Sequence, residues 1–179
     1  MEETNNVKNM PESQHAPRDK YVRLLISVYE SRVLTELLKL VSAAAVLYSV
    51  FVLGLMLAVS PLEEAVKIAV VLVVPFAAVT VFRYLVDAPR PYELLQIFPS
   101  APKKKKGKSF PSRHVFSAFL IGTVALPTIP IFAAILLLLA TLLAVCRVLL
   151  GIHFVRDVVA GAVLGIVSGG VGLLLLSLI

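Results

Sequence analysis

Residues 115–145 form a run without one charged side chain. A single helix of that length would measure roughly 46 Å at about 1.5 Å per residue, well beyond the ~30 Å hydrocarbon core of a bilayer. Pro127 and Pro130 fall in its middle. Proline removes a backbone donor and clashes with the preceding turn, so the run reads as two membrane spans folded back as a hairpin. Composition agrees: the 179 residues are 59% hydrophobic and only 16% charged, with a mean hydropathy of +0.93. Soluble domains carry about 45–50% apolar and about 25% charged residues, so a soluble fold would lack the polar surface to cover itself. The same figures exclude a disordered chain and a collagen-like fibre, and one cysteine, Cys146, cannot form an internal disulfide.

The other spans follow by the same measure of about 20 apolar residues. Residues 40–59 are uncharged, and Ser60-Pro61-Leu62-Glu63-Glu64 ends them in a turn. A second span covers 65–82, with Lys67 near its end and Pro75 as an expected kink. The last covers 158–179 and carries Gly161, Gly165 and Gly169 at four-residue intervals, the pattern that lets helix backbones approach closely. Ahead of these, Leu25, Ile26, Tyr29, Val33, Leu37 and Leu40 recur at helical spacing, which predicts an amphipathic helix on the membrane surface or the wet start of the first span. Residues 1–20 are polar and aperiodic and are expected to be a disordered tail; no signal peptide is recognisable. The expected fold is an all-α polytopic bundle of about five transmembrane helices plus the amphipathic one, making a single domain over 21–179. A sixth span requires that the amphipathic segment insert.

The net charge of +6 is unevenly placed. Lys and Arg concentrate in residues 1–39 and 83–113, the latter including Lys103, Lys104, Lys105, Lys106 and Lys108. A nucleic-acid binder would spread basic residues over the face of a packed domain. Here they flank apolar spans, so membrane lipids and an anionic lipid substrate are the expected partners, not nucleic acid.

Three polar clusters interrupt the spans: Arg83 and Arg90; Ser112, Arg113 and His114; and Arg147, His153 and Asp157. One continuous helix would part His114 from His153 by about 58 Å, whereas the hairpin returns both to one membrane face. Ionisable groups at a membrane are costly and mark function. Arginine donates two parallel hydrogen bonds and stays charged, which suits phosphate.

In order and spacing, Arg83 with Arg90-Pro91, then Pro111-Ser112-Arg113-His114, then Cys146-Arg147 with His153 and Asp157 resemble the type 2 phosphatidic acid phosphatase superfamily. Its three signatures are K-x6-R-P, P-S-G-H and S-R-x5-H-x3-D. The resemblance implies that His153 is the nucleophile forming a phosphohistidine, that Asp157 orients it, and that His114 is the general acid and then the base toward water. It further implies that Arg83, Arg90, Ser112 and Arg147 cradle the phosphate, with Arg113 added beside them. The sequence departs from the signatures at Arg83 (usually lysine), Arg113 (glycine) and Cys146 (serine). If 153–157 is helical, Asp157 lies over His153, and Ser112 at a helix start offers free amides to an anion.

No compact ligand set such as H-E-x-x-H is present, so no metal and no cofactor is expected. The function expected is a lipid phosphate or diphosphate phosphatase, acting on phosphatidic acid, phosphatidylglycerol phosphate or prenyl diphosphates. The alternatives are a non-catalytic anionic-lipid binder and a phosphotransferase on the same scaffold. The glycine stripe is read as packing within the chain, and residues 103–108 as a solvated loop on headgroups. The positive-inside rule puts the site and the N-terminus in the cytoplasm, with the protein in the cell membrane; the resemblance implies the opposite face for many relatives.

Overall fold

The computed structural model describes residues 12–95 and 106–178, with side chains from residue 20. Among the described residues seven helices follow one another: α1 Glu12–Glu30, α2 Arg32–Val59, α3 Leu62–Val86, α4 Pro91–Leu95, α5 Arg113–Ala125, α6 Pro130–Leu149 and α7 Val155–Leu176. No strand occurs among the described residues. Four segments of the described residues, Arg32–Val59, Leu62–Leu95, Pro130–Leu149 and Val155–Leu176, are long and apolar enough to cross a membrane. The fifth expected span, α5, has 13 residues, about 20 Å of helix. The molecule is an all-helical, multi-pass membrane protein.

The shortest apolar helix is the central one. α5 packs against α2, α3, α6 and α7, and Val115, Phe116, Ala118, Leu120, Val124 and Ala125 are all buried on it. The outer helices turn large side chains outward, among them Leu47, Val50, Val73, Leu138, Val167 and Leu174. That exposed apolar belt is intolerable in water and correct in lipid. The hairpin between α5 and α6 forms where the prolines place it: α5 stops at Ala125, and Pro130 opens α6 at a position whose amide would lack a partner anyway. α3 runs continuously through Pro75.

Two sequence expectations shift. α1 begins at Glu12, inside the segment read as a tail; residues 1–11 lie outside the described set, as do residues 96–105, which carry Lys103, Lys104 and Lys105. The expected amphipathic helix does not run unbroken into the first span. It stops at Ser31, whose hydroxyl accepts from the Leu34 amide at 3.3 Å and so starts a new helix. α2 therefore begins at Arg32, with Lys39 about two turns in. α1 folds back over the end of α6, where the Tyr21 and Tyr29 hydroxyls donate to the carbonyls of Val148 (3.3 Å) and Leu150 (3.5 Å).

The glycine stripe on α7 lets α5 come close. A Cβ placed on Gly161 would lie 2.7 Å from the Ser112 oxygen, one on Gly165 would lie 2.6 Å from the Phe116 oxygen, and one on Gly169 would lie 2.8 Å from Thr123 Cβ. The stripe thus packs within the chain, and it brings the start of α5 onto the start of α7.

Candidate active site

The two loops that carry the polar clusters are tied to each other by backbone. The Ser112 amide donates to the Asp157 carbonyl at 2.8 Å, joining the N-termini of α5 and α7. Between α6 and α7 the chain turns at Gly151, whose φ of 61° favours glycine. The amides of Ile152 and His153 both donate to the Arg147 carbonyl, at 3.1 and 3.2 Å. Arg147 and His153 are therefore fixed relative to each other.

His153 does not sit one helical turn below Asp157, as i,i+4 spacing predicts. The glycine turn and an extended Phe154 keep it outside α7, while Asp157 lies in the first turn of that helix and accepts from the Phe154 amide at 3.0 Å. His153 and Asp157 are both buried. His153 Nδ1 stands 3.6 Å from Asp157 Oδ2, beyond hydrogen-bonding distance. The buried hydroxyl of Ser109 fills the gap, 2.5 Å from Asp157 Oδ2 and 3.2 Å from His153 Nδ1. Burial holds the His153 imidazole below its ordinary 6.5; the Asp157 carboxylate opposes the shift, and Arg90 and Arg83 add to it.

Arg83 and Arg90 shape the loop before α5. The buried Arg83 guanidinium donates to the carbonyls of Lys108, Ser109 and Pro111. Arg90 Nε donates to the Gly107 carbonyl at 3.0 Å, and Glu93 Oε1 accepts from the Gly107 amide at 2.9 Å. The Ser109 amide donates to the Ala88 carbonyl at 2.8 Å. Both arginines hold the loop that presents Ser109 and Ser112.

At the start of α5, Ser112 makes no side-chain cap, so the capping role open to it is not taken. Among the described residues its buried Oγ has no hydrogen-bond partner, and neither does the buried Nε of Arg147. His114 is exposed and shares a groove of about 420 Å³ with Arg147. The groove continues along α2 past Lys39, Ala43, Val46 and Leu47. Arg113 lies with its guanidinium 5.7 Å from the centre of the Phe76 ring on α3, on a different side of the start of α5. Arg156 approaches Asp157 Oδ1 at 3.5 Å and is mostly exposed. Among the described residues, no group of three or more His, Cys, Asp or Glu is close enough to hold a metal ion.

The sequence reading missed Ser109, Lys39 and Glu93. Ser109 has no helical register with His153 or Asp157; it reaches them through the path of the loop. Lys39 did carry a signal, as the last charge before the uncharged run that begins at residue 40. The groove lies at that depth.

The PAP2 superfamily model matches residues 64–177. No curated protein matches the sequence. Solved structures are similar as well, two of them as follows. One is the first transmembrane PAP2 type phosphatidylglycerolphosphate phosphatase from Bacillus subtilis, with a TM-score of 0.67 at 20% identity, covering 92% of this chain and 88% of that one. The other is Aquifex aeolicus LpxE, with a TM-score of 0.64 at 27% identity, covering 84% of this chain and 93% of that one.

Proposed function

The chain belongs to the PAP2 superfamily, and on that premise we propose that it is an integral-membrane phosphatase that releases phosphate from a lipid phosphate or diphosphate through a phosphohistidine on His153. The observation that carries this reading is that two of the buried polar atoms without a hydrogen-bond partner among the described residues, Ser112 Oγ and Arg147 Nε, are tied by backbone to Asp157 and His153. A buried donor without a partner costs about 1–3 kcal/mol. Phosphate oxygens would accept from both, together with the uncapped first amides of α5.

With Nδ1 of His153 facing Ser109 and Asp157, Nε2 is the nitrogen left for phosphorus. Attack forms an Nε2–P bond as the bond from phosphorus to the lipid oxygen breaks, and His114, on the open side, gives that oxygen its proton. His114 then takes a proton from water, which attacks the phosphohistidine, frees phosphate and restores the imidazole. Such transfer asks for positioning and for stabilisation of the equatorial oxygens, which Arg147, Ser112 and the helix amides supply at short range. Arg83 and Arg90 add positive charge that is felt at His153.

The groove favours a lipid substrate. Its polar end is His114, Arg147 and Lys39, and its wall along α2 is Ala43, Val46 and Leu47, so a phosphorylated headgroup would sit inward with its chain against α2 toward the bilayer. The Bacillus subtilis protein is named for phosphatidylglycerolphosphate; that lipid, phosphatidic acid and prenyl diphosphates are the substrates proposed for this chain.

The test is phosphate release by detergent-solubilised protein from a panel of those lipids, with chelator present, comparing wild type and His153→Ala. Release by wild type alone is expected, with a base-stable phosphohistidine trapped during turnover. No release from any lipid would overturn the phosphatase reading. Release that depends on added metal would overturn the covalent mechanism.

A further inference from the structure

Asp157 and His153 are in ion-pair contact but share no direct hydrogen bond. The 3.6 Å between Nδ1 and Oδ2 is too long for a hydrogen bond, and Ser109 Oγ lies within bonding distance of both, at 3.2 Å and 2.5 Å. A hydroxyl has one proton to give, and an ionised carboxylate can only accept. The Ser109 proton therefore points at Asp157, which leaves the oxygen lone pair facing His153. That arrangement requires the proton of neutral His153 to be on Nδ1, so Nε2 carries the free lone pair. The serine cannot drift out of the bridge. Its side chain is fully buried, its amide is held by the Ala88 carbonyl at 2.8 Å, and its carbonyl is held by Arg83 at 3.2 Å.

We propose that Ser109 is a positioning residue, a hydroxyl relay through which Asp157 orients His153 and fixes its tautomer for attack on phosphorus. This rests on the phosphohistidine reading above. As the Nε2–P bond forms and the lipid oxygen leaves, the ring becomes cationic and its Nδ1–H a stronger donor. Ser109 Oγ accepts from it, polarised by its own bond to Asp157, and the proton stays on Nδ1 throughout. Charge-assisted hydrogen bonds gain most when the charge develops in the transition state, so the benefit falls on kcat and not on substrate binding.

Two measurements test this. Nitrogen-15 NMR of the histidine side chains in detergent, with His153 assigned by its loss in His153→Asn, reads the tautomer without any substrate. The Nδ1–H form is expected in wild type and a mixture in Ser109→Ala. A wild-type Nε2–H tautomer, or an unchanged tautomer in the variant, would overturn the relay. Steady-state kinetics on a lipid from the panel should show kcat lowered about 10- to 100-fold in Ser109→Ala, with KM within about twofold. Wild-type kcat in the variant, or a loss confined to KM, would refute the proposal. Ser109→Cys matches serine in shape but donates weakly; it carries both measurements if the alanine variant does not fold. Failure of wild type itself to release phosphate would sink the phosphatase reading, while the NMR result would still judge the relay.

Discussion

Gly161→Ala adds one methyl group at the point where α7 meets the start of α5. Its Cβ would lie 2.7 Å from the Ser112 carbonyl oxygen and 3.3 Å from the Phe116 nitrogen. Carbon–oxygen contacts settle near 3.3–3.6 Å, so the first turn of α5 must retreat by roughly 0.6–0.9 Å. The neighbour is backbone and cannot swing aside. That retreat stretches the 2.8 Å bond from the Ser112 amide to the Asp157 carbonyl, which is worth about 1 kcal/mol. Overpacking costs about 1–3 kcal/mol, and alanine returns nearly 1 kcal/mol of helix propensity. The net loss is about 1–3 kcal/mol, or roughly 2–10 °C in thermal midpoint for a chain of this size. Ser112 and the amides of α5 would shift by about the same distance relative to α7 and the His153 loop that precedes it. A displacement of about 1 Å can cost 10²-fold in rate, so kcat for phosphate release should fall about 10- to 100-fold. Gly170 is the control, because nothing lies within 4 Å of a Cβ there. Gly170→Ala should keep the wild-type kcat and match or slightly raise the thermal midpoint. If Gly161→Ala behaves like Gly170→Ala in both phosphate release and melting, the close-approach argument is wrong.

Arg83 and Arg147 should separate stability from catalysis. Arg83→Ala leaves three loop carbonyls without their donor and should lower the thermal midpoint by several degrees, an effect of about 2–4 kcal/mol. Arg147→Ala removes a guanidinium whose Nε has no protein partner and should lower kcat/KM by about 10²-fold or more with the smaller effect on melting; equal melting losses would refute the distinction. Because burial holds His153 below 6.5, its imidazole stays neutral and nucleophilic as pH falls through 6.5 and is protonated only below that. An NMR titration of His153 should give a midpoint under 6.5, and a midpoint at or above that value would count against the burial argument. For sidedness, Lys106→Cys places a thiol at an exposed loop position, on a background with the buried Cys146 changed to alanine. The positive-inside reading expects protection from an impermeant reagent in intact cells, and strong labelling would reverse the orientation.

What was legible in the sequence is what depends on period and punctuation. The uncharged run with two prolines predicted the α5–α6 hairpin, and the hairpin alone puts His114 and Arg147 on one groove. The glycine spacing predicted a close helix contact, though not its partner. What was not legible depends on loop path. No periodicity relates Ser109 to His153, and four residues of spacing pointed to a helical stack of Asp157 on His153 that the turn at Gly151 abolishes. The sequence weighed Arg83 and Arg90 as charges for phosphate. The fold also uses them as donors, because a loop returning to the membrane face must satisfy its carbonyls where water is scarce. The two uses fit together: a guanidinium bound to backbone keeps its charge while losing its freedom, so the loop it holds delivers Ser112 and Ser109 at fixed positions under a positive field. This also explains the division among the arginines. On the proposed function, those whose donors hold the loop would act on phosphate through the loop's geometry, and Arg147, whose Nε has no partner among the described residues, would bind it directly.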